Sequence, residues 1–318
     1  MAESVITPAL HSALAPAGAH AQHIDSMWQL MLWVCSAMYL LVILFLIAAL
    51  IRRRRGEGSD GTRGLSRTLA AWTALIAIGL FTLTVASYLT DRALVHAAPE
   101  PQVSVLVTAH QWWWNIEYVS GDPSERIRTA NELHVPVNAQ VHIELASHDV
   151  IHSFWLPNLN GKRDLIPGRT SEISLQPQAT GVYRGFCAEF CGAQHAKMNF
   201  ELIVDSPQDF ESWREHQLSM GVAPADELAR QGQRLFMSTA CSLCHAIAGT
   251  DAAATTGPDL THVGSRRMIA SGTLPNTDAN MRAWIENPQR IKPGSQMPVV
   301  SLSPENLDAL VAYLRVLQ

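Results

Sequence analysis

The sequence predicts a membrane protein of several domains: a two-helix transmembrane hairpin at the N-terminus, an antiparallel β-sandwich, and an all-α domain at the C-terminus. Three observations carry that expectation. Two long uncharged apolar stretches flank an arginine-rich loop, runs between residues 103 and 204 alternate apolar and polar, and a C-x-x-C-H pentad follows a helix-patterned segment near the C-terminus. At 318 residues the chain is long enough for two or three folding units, and its 16% charged and 47% hydrophobic residues imply apolar length beyond globular cores. That balance excludes a largely disordered chain and a short disulfide scaffold. A net charge of -5 and a pI of about 6.2 leave no basic field to neutralise a phosphate backbone, which argues against nucleic acid as a partner.

Residues 1–26, rich in Ala, Pro and His, lack the basic start, apolar core and cleavage site of a secretory leader and read as a translocated, partly ordered tail. From Met27 to Ile51 the chain then runs 25 residues without a charge. At about 1.5 Å per residue this exceeds the ~30 Å hydrocarbon core of a bilayer. A second uncharged stretch, Leu69 to Leu89, places Trp72 and Tyr88 near its ends, where aromatic rings favour the interface. Residues 27–91 thus read as the hairpin. Arg52, Arg53, Arg54, Arg55, Arg63 and Arg67 lie between the spans, while residues 1–51 contain neither Lys nor Arg. Basic residues stay on the cytoplasmic side, so the loop is cytoplasmic and the tail and everything after Tyr88 are outside, as in a bacterial inner membrane with periplasmic domains. Cys35 sits within the first span as a small apolar residue, and Ser36, Ala37, Ala48 and Ala49 permit close helix packing.

Residues 92–205 read as the sandwich. Val103, Val105, Val107 and Ala109 alternate, as do Val141, Ile143 and Leu145, and later Met198, Phe200, Leu202 and Val204, which is the pattern of half-buried strands. Turns are expected at Gly121-Asp122-Pro123, Pro157-Asn158, Asn160-Gly161, Pro167-Gly168 and Gly181. The turn before the last strand carries Cys187-Ala-Glu189-Phe-Cys191-Gly-Ala-Gln-His195-Ala-Lys-Met198. Two thiols, an imidazole and a thioether so close together are soft-metal ligands and favour copper over hard cations. A mononuclear blue site needs one thiolate, so two cysteines point to two coppers sharing both sulfurs, with a further imidazole from elsewhere; His152, in SHDVIHSFWLP, is the choice. A Cys187–Cys191 disulfide and a Cys2His2 zinc site are the alternatives, and the Met198 and Gly192 context argues against both.

The loop, His152 and the hairpin closely resemble subunit II of the haem–copper cytochrome c oxidases. The resemblance implies a cupredoxin-like sandwich holding the mixed-valence binuclear copper centre, CuA. In it Cys187 and Cys191 bridge both coppers, His152 and His195 each bind one, Met198 is a weak ligand, and Glu189 binds through its backbone carbonyl. The Glu189 carboxylate would face a magnesium ion shared with the catalytic subunit. The run His110-Gln-Trp112-Trp113-Trp114-Asn-Ile-Glu117-Tyr118 is similar to the family's aromatic segment, whose first tryptophan, here Trp112, lies between CuA and the incoming donor. Trp113 and Trp114 read as strand core, and His134, His142 and His148 as surface or strand residues outside the ligand set. One departure concerns proton uptake: many members place a glutamate three residues before the tryptophan of the second span, where this chain has Leu69, with Glu57 or Asp60 as substitutes.

Residues 206–225 read as a helical exit and a linker, and residues 226–318 as a further domain. Leu228, Leu235 and Phe236 fall at helical spacing and lead into Cys241-Ser-Leu-Cys244-His245, the c-type haem attachment motif. Two thioethers fix the porphyrin there while the adjacent histidine supplies one axial ligand. Met297, in KPGSQMPVV, is expected opposite it, because a Pro/Gly-rich loop can present a thioether across the ring; Met268 and Met281 are weaker candidates. The last helix starts with Ser303 as N-cap and Pro304 at its first position and buries Leu307, Leu310, Val311, Leu314 and Leu317. With Thr256-Gly-Pro-Asp-Leu260 and Trp284, the segment looks like a class I cytochrome c fused to the oxidase subunit, the caa3-type arrangement. The resemblance therefore implies an electron-entry subunit. It would take electrons from a respiratory donor, cytochrome c or a complex III-type enzyme, through haem c and CuA to the catalytic subunit I. That subunit, with subunit III alongside, reduces dioxygen to water and translocates protons. A membrane-tethered copper carrier or redox sensor is one alternative. A nitrous-oxide-reductase-like module is another, but it needs its own catalytic copper cluster and the remaining histidines form none in sequence.

Overall fold

The computed structural model describes residues 9–55, 61–95 and 100–318. Glu57 and Asp60, the substitutes for Leu69, lie outside the described residues. The chain divides into two units, a helical one starting at His20 and a second comprising the residues before it and those from Ala98 onward.

The helical unit consists of α1 (Ala19–Arg54) and α2 (Gly61–Val95), both long and apolar enough to cross a membrane. Large side chains such as Leu40, Leu44, Ile78 and Phe81 are exposed along them, as a lipid-facing surface requires. The first helix begins ahead of the apolar stretch, because Ala-His-Ala-Gln-His permits helix without being apolar. Arg52, Arg53 and Arg54 close its last turn, where cations meet the negative end of the helix dipole. Phe45 and Trp72 meet edge to face at 5.7 Å.

In the second unit, two five-stranded sheets pack face to face. One has the order β3 (Ile127–Ala130), β2 (Trp113–Tyr118), β1 (Val103–His110), β5 (Val141–Ser147) and β8 (Ser171–Leu175). The other has the order β4 (Glu132–Pro136), β10 (Asn199–Asp205), β9 (Gly181–Cys187), β6 (His152–Trp155) and β7 (Lys162–Leu165). The pairing is antiparallel except that β1 lies parallel to β5 and β10 parallel to β4. The inward faces are those the alternation predicts: Val105, Val107, Ala109, Val141, Ile143, Leu145, Phe200, Leu202 and Val204 are all buried. Trp114 is core as expected, edge-on to Phe154 and Phe200.

The tail is more ordered than its composition implied. Leu10 bridges Tyr183 and Gly18 bridges Pro177, so residues 10–18 run across the sandwich. The buried Asn158 fastens them, donating from Nδ2 to Ala15 O at 2.8 Å and accepting the Ser12 N–H at 3.0 Å.

After β10, α3 (Pro207–Gln217), capped by Ser206, folds back on the sandwich and stacks Trp213 on His134 at 4.4 Å. The segment read as a linker is tied down. Ser219 O accepts from His262, and Gly221 N–H donates to Ala248 O.

The helical C-terminal segment comprises α4 (Glu227–Ser238), α5 (Asp278–Glu286), α6 (Pro288–Ile291) and α7 (Pro304–Val316), with a two-strand ribbon of β11 (Met268–Ile269) and β12 (Leu274–Pro275). Asp226 caps α4 and Ser303 caps α7, whose apolar face is buried as predicted. The helical spacing of Leu228, Leu235 and Phe236 falls within α4, where Leu228 is 47% exposed. The buried face is Ala229, Gly232 and Phe236, because α4 crosses α7 so closely that a Cβ on Gly232 would stand 2.0 Å from Ala309 O.

This segment also covers the outer face of β10. Asn199 and Glu201, on the face the alternation left to solvent, are buried along with the core residues. Across the junction Asn199 N–H donates to Ser271 O and Ser271 Oγ donates to Asn199 O, and Arg267 pairs with Glu201 at 2.9 Å.

Candidate metal centre

The loop from Cys187 to Met198 joins β9 to β10 and brings the soft donors together. Cys187 N–H donates to Met198 O at 3.0 Å, so the loop closes on its own ends, while β6 pairs with β9 and delivers His152 to the same place. Cys187 Sγ lies 3.7 Å from Cys191 Sγ, 3.8 Å from His152 Nδ1 and 3.2 Å from Glu189 O. Cys191 Sγ lies 3.7 Å from His195 Nδ1 and 3.8 Å from Met198 Sδ. Both thiols are free. Donors bound tetrahedrally to one ion at about 2.0–2.3 Å stand roughly 3.3–3.8 Å apart, so the spacing and the sulfur-rich chemistry fit a soft metal. All six residues expected at this site are in it. His152 and Met198 are fully buried, and Glu189 and Phe190 are exposed.

Hydrogen bonding by Cys191, then by His152, holds the Cys187 thiol down at about 3, against the opposing effect of burial. Cys191 moves up, because its thiol donates to Cys187 and burial penalises a second charge beside the first. The pair thus retains one proton until a metal displaces it.

Three residues that sequence reasoning did not select hold the loop and its histidine. Asp149 Oδ1 accepts from His152 Nε2 at 2.7 Å, which fixes the imidazole with Nδ1 toward the sulfurs. Burial lowers the basicity of His152, but its contacts with Cys187 and Asp149 outweigh that and raise it. Gln111 Nε2 and Trp112 Nε1 both donate to Cys191 O, at 2.7 and 3.0 Å. Gly192 sits at φ +112, and a Cβ there would meet Trp112 at 3.1 Å, so glycine lets the loop approach the indole. The third is Lys292, whose Nζ donates to Trp112 O.

A second trio, His110, His148 and Asp149, also brings ligand atoms near one another. The rings of His110 and His148 stack at 4.6 Å with planes 25° apart, and near-parallel imidazoles do not aim their lone pairs at one ion.

In the C-terminal segment an apolar cavity is lined by Cys241, Cys244, His245, Met297 and Trp112. His245 Nδ1 donates to Pro258 O at 2.7 Å, which leaves Nε2 as the free ring nitrogen, and burial keeps the imidazole neutral. A Cβ on Gly257 would stand 2.8 Å from that ring, so the Thr256–Leu260 run packs directly on it. A sulfur pair, a neutral imidazole and an apolar cavity fit a covalently attached haem. Met268, Met281 and Met297 all line the cavity. Met281 is buried in α5 and Met268 belongs to β11, whereas Met297 lies in the loop whose carbonyls at Ser295 and Met297 accept from Gln289. Trp113, expected in the core, is half-buried, lines the cavity and stacks on His110 at 4.4 Å. Trp112 belongs to both sites.

Residues 103–206 match the family model of the cytochrome c oxidase subunit II periplasmic domain, and residues 229–318 match that of cytochrome c. The chain is similar to cytochrome c oxidase subunit 2 of Alkalihalophilus pseudofirmus, 36% identical over 96% of this chain and 91% of the relative. The same protein of Bacillus subtilis is 31% identical over 96% and 92%. Among solved structures, the periplasmic domain of cytochrome oxidase subunit II from Bradyrhizobium japonicum is 30% identical. It covers 38% of this chain and 96% of its own, with a TM-score of 0.36.

Proposed function

The chain belongs to the cytochrome c oxidase subunit II family and carries a cytochrome c domain behind the subunit II domain, and on that footing we propose that electrons enter it at the Cys241–His245 cavity and leave by way of Trp112 and the Cys187–Met198 loop. Family membership makes it a membrane-anchored subunit that partners the catalytic subunit of a haem–copper oxidase, and its two domains imply copper as CuA and haem c. Copper and haem supply reversible one-electron chemistry when bound.

Cys187 and Cys191 are assigned as the shared copper ligands, His152 and His195 as one nitrogen ligand each, Met198 as the thioether and Glu189 as a carbonyl ligand. The spacing of these donors supports the assignment. Cys241 and Cys244 would hold haem c through thioether bonds, and His245 and Met297 would be its ligands. The exposed Glu189 carboxylate is assigned to magnesium at the catalytic subunit's face. Subunit III and a cytochrome c or complex III-type donor complete the partners. Residues 92–205 and 226–318 are the two redox domains in this reading. A bacterial inner membrane with both domains periplasmic is supported by the arginine loop and by the tail. Residues 10–18 lie on the sandwich, so the hairpin must return the chain to the side it left.

The observation that carries the reading is that the Trp112 indole lines the cavity while its N–H rests on Cys191 O. Electron paramagnetic resonance of the full chain in its assembled oxidase tests it. The expected spectrum shows hyperfine structure from one electron shared by two coppers. A single-copper pattern, or no copper with Cys187 and Cys191 oxidised to a disulfide, refutes it.

A further inference from the structure

Lys292 follows α6 as its C-cap and is only 3% exposed. It is one of three lysines in the chain, with Lys162 and Lys197. Its Nζ donates to Trp112 O at 2.9 Å and to Ala270 O at 3.4 Å, and among the described residues no carboxylate pairs with it. Burying an ammonium against two neutral carbonyls is costly, and an apolar side chain of the same length would fill the space without that penalty. The environment records the cost: burial pushes the group down to about 7, Lys197 acts in the same direction, and Cys191 opposes both. The position therefore requires the donor head and not the stem.

The contacts show what that head does. Trp112 is held at two points, its indole N–H on Cys191 O and its carbonyl on Lys292. Lys292 also lines the cavity that holds Cys241, Cys244 and His245. The second acceptor, Ala270, belongs to a turn in which Ala270, Ser271 and Gly272 are all left-handed, at φ 52, 57 and 66. That turn meets β10 through Ser271 and Asn199. One ammonium thus joins the aromatic bridge, the cavity wall and the docking turn.

Resting on the subunit II reading above, we propose that Lys292 is a positioning residue for internal electron transfer, a clasp that holds Trp112 at a fixed place between the cavity and the sulfur loop. Two variants separate its parts. Lys292→Met removes charge and donor at similar length, and Lys292→Gln restores an N–H donor without charge. In the assembled oxidase, with haem content and copper resonance checked, the haem is reduced by a light-activated ruthenium reagent and transfer to copper is followed optically. The Met variant is expected to transfer at least tenfold more slowly with both spectra unchanged, and the Gln variant to recover at least a third of the native rate. Transfer in Lys292→Met within twofold of native, or no recovery in Lys292→Gln, overturns the proposal.

Should the variants fail to assemble, acetylation of the native oxidase decides. Lys292 should stay unmodified under conditions that acetylate the exposed Lys162, and equal modification overturns the clasp. A native oxidase without the two-copper signal is a failure of the subunit II reading. A native signal with a fast Met variant is a failure of the lysine alone.

Discussion

Asp149 supplies no donor to the sulfur cluster, yet three hydrogen bonds converge on its carboxylate: from His152 Nε2 at 2.7 Å, Gln111 N–H at 2.6 Å and Val150 N–H at 2.7 Å. Burial alone would raise its affinity for a proton, and these bonds reverse that and hold it below the usual carboxylate range. Asp149→Asn replaces an acceptor-only group with an amide and loosens the imidazole. Copper affinity of the full chain should fall by roughly 10–100-fold, read by competition with a chelator, while haem content stays unchanged. An unchanged affinity would mean that strand β6 alone orients the ring. Asp149 was within reach of sequence reasoning, since it stands three positions before His152 in S-H-D-V-I-H. Gln111 and Lys292 were not, because the groups they hold lie 80 and 180 positions away in the chain.

The edge of the sandwich at β4 and α3 rests on a histidine read from sequence as a bystander. His134 Nδ1 meets Asp205 at 2.7 Å, Nε2 meets Glu132 at 3.2 Å, and its ring lies flat on Trp213. Burial lowers its proton affinity, but the contacts with Asp205 and Glu132 outweigh this and raise it. A histidine raised in the folded state contributes stability that is fully present below about 6.5 and is lost as pH rises through its folded value. Amide exchange in α3, corrected for intrinsic rate, should therefore quicken on going from pH 6 to pH 9. His134→Gln should remove that dependence, and its persistence would assign it elsewhere. Strand parity was legible because each strand's inward face is apolar along its length. The outer face of β10 was not, since Asn199 and Glu201 look like solvent residues until the C-terminal segment covers them. The buried face of α4 was not legible for a related reason: glycine carries no hydropathy signal, and close crossing with α7 selects Gly232 over Leu228.

At the scale of the whole molecule, the two candidate sites were legible because most of their residues are neighbours in sequence, and the docking between them was not. Docking rests on pairs such as Arg267 and Glu201, 66 positions apart, and on the two hydrogen bonds between Asn199 and Ser271, one from the Asn199 N–H and one from the Ser271 hydroxyl. The Arg267 side chain keeps 27% exposure, so solvent weakens the pair. Arg267→Gln should shift docking by about 1–2 kcal/mol, a factor of roughly 5 to 30 in the equilibrium. The Asn199 amide, which donates across the junction, should exchange faster by that factor, and no acceleration would show that the main-chain contacts suffice. The strap of residues 10–18 bears on how the molecule is made. Its partners Tyr183 and Pro177 leave the ribosome long after it does, and at about 5–20 residues per second Leu10 waits roughly 10–35 s for Tyr183. A segment that precedes the whole sandwich in the chain is thus among the last to settle on it, and the sandwich is sealed only once synthesis has reached its ninth strand.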